Sequence, residues 1–447
     1  MKKLCFFILF LFISSLSYSQ FAKYPKQNNG NLSGGVGLNW IDGDPYYSIS
    51  FNPEISFANF GVGLDLRFDV DSKGNIRHEN FNELSDYLSI IRYVRYGLKK
   101  DPVFVKLGAL DYYTLGHGSI MYLYNNSPSF DARKIGLVFD VDFGTFGFES
   151  IYSKFAEAGV AGIRGYIRPL QLTSAASIPI IGNIEVGASY AGDFDQYSGI
   201  TEGSYDNVQR KINVIKDEGP ISIVGLDLGL PIISGSMANL TLYLDYVNII
   251  NFGGGTSTGA ILEVNPLGLI SATAKLERRF NGDHYLPAYF NSLYELERFL
   301  VDTSSGTFVS KAQLLSSSTN VGNGYYGELL VNVLGMFNIL GSYQRLDKYP
   351  SSGILHLETE IAPENFPFIA RAGYDKRNIK NETDLFKLDD RSYLYSEIGY
   401  KPFPYMVVAM LYSWTFSPIR DKDDNVIDFE PQKRIEPRVY FVYPFSF

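Results

Sequence analysis

Apolar and polar residues alternate with a period of two along most of this chain. From Phe60 the apolar positions are Phe60, Val62, Leu64, Leu66, Phe68 and Val70, and between them lie Gly61, Gly63, Asp65, Arg67 and Asp69. The pattern returns at Ile135, Leu137, Phe139, Val141 and Phe143, with Asp140 and Asp142 on the other face. It returns at Val224, Leu226, Leu228, Leu230 and Ile232 against Gly225, Asp227 and Gly229. Leu240, Leu242, Leu244 and Tyr246 oppose Tyr243 and Asp245, and Phe368, Ala370, Ala372 and Tyr374 oppose Arg371 and Asp375. Each segment predicts a strand with one face in an apolar medium and the other in water. About 20 such segments can be marked, of roughly 9–13 residues, the length a tilted strand needs to cross a bilayer. Strands of soluble sandwiches are shorter, about 5–6 residues.

The connections carry a second rhythm. Short ones fall at 58–60, 98–102, 144–147, 265–268, 334–337, 363–367 and 401–404. Between them stand long ones at 71–86, 111–133, 193–219, 281–322, 377–390 and 417–433. This predicts an all-β fold, a single up-and-down antiparallel transmembrane barrel of about 18–20 strands with short periplasmic turns and long extracellular loops. The stretch 169–182 is long where a short turn is expected. In the 281–322 loop Ser292 stands three residues before Glu295, and Leu293, Leu296 and Leu300 follow near helical period, which predicts a helix over 292–302 that caps the mouth or folds inward.

Composition agrees with a membrane barrel, or with a large extracellular β-protein, and argues against other classes. The chain of 447 residues has 33 Tyr and 33 Phe, yet a mean hydropathy of only −0.04. Tyrosine favours the membrane–water boundary, and a wet barrel interior keeps hydropathy low. The net charge of −9 argues against a nucleic-acid partner, which needs a positive footprint. Lys2 and Lys3, the apolar run Leu4 to Ile13, and Ser17 and Ser19 before Gln20 form a signal-peptide pattern. We therefore expect residues 1–19 to be cleaved and 20–447 to form one barrel domain. The single cysteine, Cys5, lies in that leader, so the mature chain has no disulfide, no thiolate metal site and no thiol nucleophile.

The chain closes on Arg438-Val439-Tyr440-Phe441-Val442-Tyr443-Pro444-Phe445-Ser446-Phe447, with Val439, Phe441, Tyr443, Phe445 and Phe447 at alternate positions. This resembles the C-terminal assembly signal of bacterial outer-membrane β-barrels of the porin-like kind. The resemblance implies an outer-membrane location, contact with outer-membrane lipid, handling by periplasmic chaperones and insertion by the barrel-assembly machinery. It covers the last ten residues by motif, and the strand rhythm extends it along the mature chain. Pro444 departs from an ideal strand because it lacks an N–H.

Candidate chemistry is sparse. His117 sits between Gly116 and Gly118 in a long loop; it is either an ordinary loop histidine between flexible glycines, the commoner case, or part of a loop that folds into the lumen and narrows it. His356 faces away from lipid beside Glu358 and Glu360, which a wetted lumen explains without catalysis or metal. His78 and His284 fall in loops. Gly255-Thr256-Ser257-Thr258-Gly259 matches a nucleophile elbow, but Ala260 to Val264 continues as a strand where a helix is required, so a hairpin loop is expected. Asp421, Asp423 and Asn425 begin like a calcium loop without its glycine or closing glutamate. No catalytic residue, cofactor or metal is therefore expected.

The inward-facing candidates are Asp65, Arg67, Asp69, Asp140, Arg164, Asp227, Asp245, Glu277 and Arg371. A charge facing lipid at mid-bilayer costs about 2–4 kcal/mol, which directs them to the lumen, where they either set a charge preference or neutralise one another. The function expected is a porin-like channel for small hydrophilic solutes. The alternatives are a plugged transporter for a hydrophobic or polymeric substrate and, more remotely, an outer-membrane hydrolase or an adhesive barrel. Oligomeric state stays open.

Overall fold

Twenty antiparallel strands, each paired with its sequence neighbour and the last with the first, close into an up-and-down barrel. The computed structural model describes residues 28–41, 44–78, 81, 87–127, 133–155, 158–266, 269–302, 306–319, 321–362, 366–420 and 426–446. The expected leader, the calcium-loop-like Asp421–Asn425 segment and the terminal Phe447 lie outside the described residues.

The strands are β1 (Asn29–Ile41), β2 (Asp44–Phe57), β3 (Phe60–Leu64 continued by Leu66–Val70), β4 (Ile91–Tyr96) and β5 (Val103–Gly108). Then come β6 (Gly136–Asp142), β7 (Phe146–Tyr152), β8 (Val160–Ile167), β9 (Glu185–Asp193) and β10 (Ile221–Ser234). The next are β11 (Ala238–Ile249), β12 (Gly253–Val264), β13 (Ile270–Asn281), β14 (Gly324–Val333) and β15 (Phe337–Leu346). The circuit ends with β16 (Gly353–Ile361), β17 (Phe368–Ile379), β18 (Ser392–Phe403), β19 (Met406–Arg420) and β20 (Val426–Ser446). β4 to β7 have only six or seven residues, shorter than the sequence rhythm suggests, and they stand where a loop enters the barrel.

The period-two pattern sorts residues by face. Val36, Ile49, Leu226, Leu244, Leu276 and Ile398 are exposed on the outer wall, whereas Asp69, Asp140, Arg164, Asp245 and Glu277 are buried on the inner one. Aromatic rings gather on the outer wall at the short-turn end. Phe60 meets Tyr96 at 5.1 Å, Phe143 meets Phe146 at 5.2 Å, Phe368 meets Tyr400 at 5.4 Å, and Phe403 stacks on Tyr405 at 5.9 Å. An apolar band bounded by aromatic rings is the surface that a barrel in lipid presents. The protein is a closed antiparallel up-and-down β-barrel whose outer wall suits contact with lipid.

Three local expectations change. Of the segment expected as a 417–433 loop, residues 417–420 and 426–433 are strand: β19 and β20 stay paired up to Arg420 opposite Val426, with Pro418 opposite Phe429 and Pro431 opposite Phe416. The Gly255–Gly259 match, expected as a hairpin loop, lies wholly within β12, paired to Tyr243–Val247, and is strand. The helix expected over 292–302 shrinks to one turn, Tyr294–Glu297, with no side-chain cap, and Leu300 belongs to the strand Phe299–Asp302. Strand pairing of Phe290–Asn291 with Met121–Tyr122 on one side of that turn and of Phe299–Asp302 with Thr307–Ser310 on the other overrides the helical period. The long segment 169–182 is filled by short 3-10 turns at Pro169–Leu172, Ser174–Ser177 and Ile181–Asn183.

The seam joins β1 to β20 from Asn29–Ser446 to Val36–Val439, and Pro444 is held in the ladder opposite Asn31. Tyr443 is exposed on the outer wall, and Phe441 and Phe445 share its face. Their rings cover Gly34 and Gly30: a Cβ on Gly34 would lie 2.4 Å from the Ser50 carbonyl oxygen and 2.8 Å from the Phe441 ring. Gly37, further along β1, has open space at the same test. Gly34→Leu should therefore lower unfolding stability by about 1–3 kcal/mol through overpacking, while Gly37→Leu leaves it nearly unchanged. Urea titration in detergent micelles, read as loss of the compact heat-modifiable band, checks this; equal effects at the two positions would contradict the seam packing.

Candidate functional site

The 109–135 loop does not stay outside the barrel. Its base is tied by the Asn126 side chain, whose Oδ1 accepts from the Leu110 N–H at 2.8 Å and whose Nδ2 donates to the Ser153 carbonyl at 2.8 Å. Tyr113 and Tyr124 exchange backbone hydrogen bonds at 2.9 and 2.8 Å, making a hairpin-like neck. Beyond that neck the tip enters the lumen and bonds to the inner wall. Gly116 N–H donates to Glu149 Oε2 at 2.7 Å, and Lys275 Nζ donates to the His117 carbonyl at 2.8 Å. His117 Nδ1 lies 2.8 Å from Asp245 Oδ1, and Ser119 Oγ donates to Asp245 Oδ2 at 2.6 Å. The His117 ring stacks on Tyr243 with centroids 4.6 Å apart. Lys99, on the short turn after β4, donates to the Thr114 carbonyl, so the tip lies within reach of the short-turn end.

Gly118 makes the tip possible. Its φ is +96°, a conformation that side chains rarely adopt, and a Cβ there would lie 2.4 Å from the Tyr122 ring. His117 is thus an anchor between two conformationally required glycines, and not the free loop histidine that its flanks suggest.

An apolar core sits inside this barrel. Leu110, Leu115, Ile120, Met121 and Tyr124 of the loop pack on Phe104, Val138, Ile151, Ala191, Ile223 and Val247 of β5 to β11. The 282–323 loop closes over them with Tyr285, Tyr289, Phe290, Tyr294 and Leu315. Gly253 and Gly255 let this roof press on β12: a Cβ on Gly253 would lie 2.0 Å from the Asp283 carbonyl oxygen, and one on Gly255 2.3 Å from the Tyr285 ring. Tyr294 OH and Arg298 Nη2 each reach Asp193 at 2.7 Å, and Glu295 accepts from Tyr124 OH and Lys134 Nζ. His284, in the same roof, approaches the Leu315 carbonyl at 3.3 Å. Burial, with Asp111 and Glu358 nearby, pushes the Tyr112 phenol up to about 12.

The nine candidate charges all occupy the inner face, in three groups. Asp140, Arg164, Asp227, Asp245 and Glu277 stand on the half that the loop covers. Arg164 bonds Asp227 through Nε at 2.9 Å and Nη2 at 2.6 Å, and Glu185 at 2.7 Å. Asp140 accepts from Tyr113 OH at 2.8 Å, and Glu277 accepts from Arg279 at 2.5 Å and Tyr243 OH at 2.6 Å. Asp65, Arg67 and Asp69 sit together on β3, with Arg67 3.2 Å from Asp69 and Asn52 2.6 Å from Asp65. Arg371 stands apart on β17, bound to Glu360 at 2.6 Å.

Sequence reasoning missed several inner-wall charges, among them Glu149, Lys275, Arg279, Glu328, Glu397 and Arg438. The signal was present: Lys275, Glu277 and Arg279 alternate on one strand, and extending the parity of Glu277 by two in each direction finds the other two. His356 does face inward and pairs with Asp375 at 2.6 Å. Among the described residues no group of three potential metal ligands occurs.

Comparison with known proteins yields no matching family model and no match among curated sequences. Solved structures do resemble the chain. A mutant ferric enterobactin receptor of Pseudomonas aeruginosa with enterobactin is 9% identical, with 95% of this chain and 82% of that one aligned at a TM-score of 0.42. The siderophore receptor PirA of Acinetobacter baumannii is 8% identical over 95% and 81% of the two chains at 0.41. OccK11 (OpdR) of Pseudomonas aeruginosa is 10% identical over 94% and 95% at 0.31. Similarity of this size leaves substrate and activity to be argued from the site.

Asp245 holds the tip through two hydrogen bonds to a buried carboxylate, each worth roughly 1.5–3 kcal/mol. Asp245→Ala should speed hydrogen exchange of the amides at 114–121 by at least about tenfold, since 1.4 kcal/mol is a factor of ten, and leave β14 to β20 protected. Unchanged exchange at the tip would show that the apolar contacts alone fix it.

Proposed function

We propose that this barrel is a loop-constricted channel for small hydrophilic solutes. The observation that supports the reading is the division of the inner wall into a packed half and a wetted half. On the packed half Arg164 and Glu277 side chains are 3% and 1% exposed. On the far half Arg371 and Asp375 are 37% and 43% exposed, and Arg438 is 29% exposed. Ionised groups keep that exposure only against water, because a charge without solvent or full pairing is costly to bury. Barrels of about 16–18 strands leave an aqueous lumen and those of about 22 are plugged. A barrel of twenty strands with a loop along one side fits a narrowed passage bounded by β14 to β20 and β1 to β3. Of the candidate charges, Arg67 and Arg371 border this passage, Asp65 and Asp69 are buried beside Arg67 on β3, and Asp140, Arg164, Asp227, Asp245 and Glu277 hold the loop that narrows it.

A second reading, a plugged transporter for a hydrophobic or polymeric substrate, is favoured by the apolar core inside the lumen. The two differ in conductance. In planar bilayers the channel reading expects small, stable, ohmic steps. Replacing residues 114–121 by a two-glycine link should enlarge the steps, because the tip is the part that fills the lumen. Silence of the folded wild-type barrel together with steps in the shortened variant would establish the plugged reading instead.

A further inference from the structure

The wetted wall carries more carboxylates than arginines, and the arginines are already committed. Arg371 lies between two acids, Glu360 at 2.6 Å and Glu397 at 3.6 Å. Arg438 also lies between two, Glu436 at 3.0 Å and Glu397 at 3.5 Å. Two further acids on this wall are satisfied differently. Glu328 accepts from Tyr122 OH at 2.8 Å and Tyr326 OH at 2.5 Å, and Glu358, 8% exposed, is surrounded by Tyr395, His356 and Arg371. A phenol satisfies a carboxylate's acceptor capacity without cancelling its charge. The lysine opposite Glu328 in the next strand, Lys275, is engaged by Glu277 at 3.3 Å and by the His117 carbonyl at 2.8 Å.

We propose that the passage prefers cations over anions, with Glu328 and Glu358 as its main selectivity-determining residues and small inorganic and amine cations as the favoured solutes. This rests on the channel reading. A ring of fixed carboxylates in a low-dielectric wall raises the local concentration of counter-ions and excludes like charge. Tyr122, Tyr326 and Tyr395 add phenol rings beside those carboxylates, and a ring face attracts an ammonium group.

The test is the reversal potential of the purified barrel in a planar bilayer across a KCl gradient. The wild-type channel should be several-fold more permeable to potassium than to chloride. The double variant Glu328→Gln, Glu358→Gln keeps side-chain shape and should lose most of that preference. Added spermidine should block the wild type more strongly than the double variant. A conducting wild type that prefers chloride, or shows no preference, overturns the proposal while leaving the channel reading intact. Preference unchanged in a folded, conducting double variant overturns the assignment to these two residues. A silent wild-type barrel overturns both readings together.

Discussion

Hydrocarbon offers no partner to a backbone N–H or C=O, so a sheet that crosses a bilayer must pair its first strand with its last. Everything else in this structure follows from that closure. It explains why β20 must reach β1, why Phe441 and Phe445 lie over Gly34 and Gly30 at the joint, and why Pro444 is tolerated within an otherwise continuous ladder. Closure also fixes the parity of each strand, since one face meets lipid and the other cannot. Twenty strands enclose a space too wide for wall side chains alone to fill, and the 109–135 loop supplies much of the filling.

That loop turns a uniform barrel into one with two unlike halves. Where it packs, the lumen resembles the core of a soluble protein, with leucine, isoleucine and tyrosine side chains in contact and carboxylates paired or bonded to phenols. Where it is absent, Arg371, Asp375 and Arg438 keep access to water. The short strands β4 to β7 stand on the packed side, and the loop and its roof continue the barrel's inner packing above them.

The barrel was legible because its signal is local and repeated. A period of two names the strand, its length and its faces, and the nine candidate charges could be assigned to the inner face by parity alone. The loop was harder to read. His117 between two glycines looks like a flexible tip, and only Asp245, Ser119 and Tyr243, brought together from distant parts of the chain, reveal it as an anchor. Likewise Ser292 and Glu295 have capping spacing, but pairing of Phe290 with Met121 and the bond from Tyr294 to Asp193 outweigh a single helical turn. The prolines Pro418 and Pro431 imitate a loop, yet both stand in the paired hairpin of β19 and β20.

The central claim is that one half of the inner wall is dry and the other wet, and cysteine accessibility tests it most directly, because the only native cysteine is Cys5. Single cysteines at Ser50 and Ser342, on the open wall, should react quickly with a small charged methanethiosulfonate in proteoliposomes. Cysteines at Ala191 and Ser119, which are 0% and 5% exposed, should stay unreactive until the barrel is unfolded. Equal, rapid labelling at all four positions would mean that the loop does not occupy the lumen, and the account would fail.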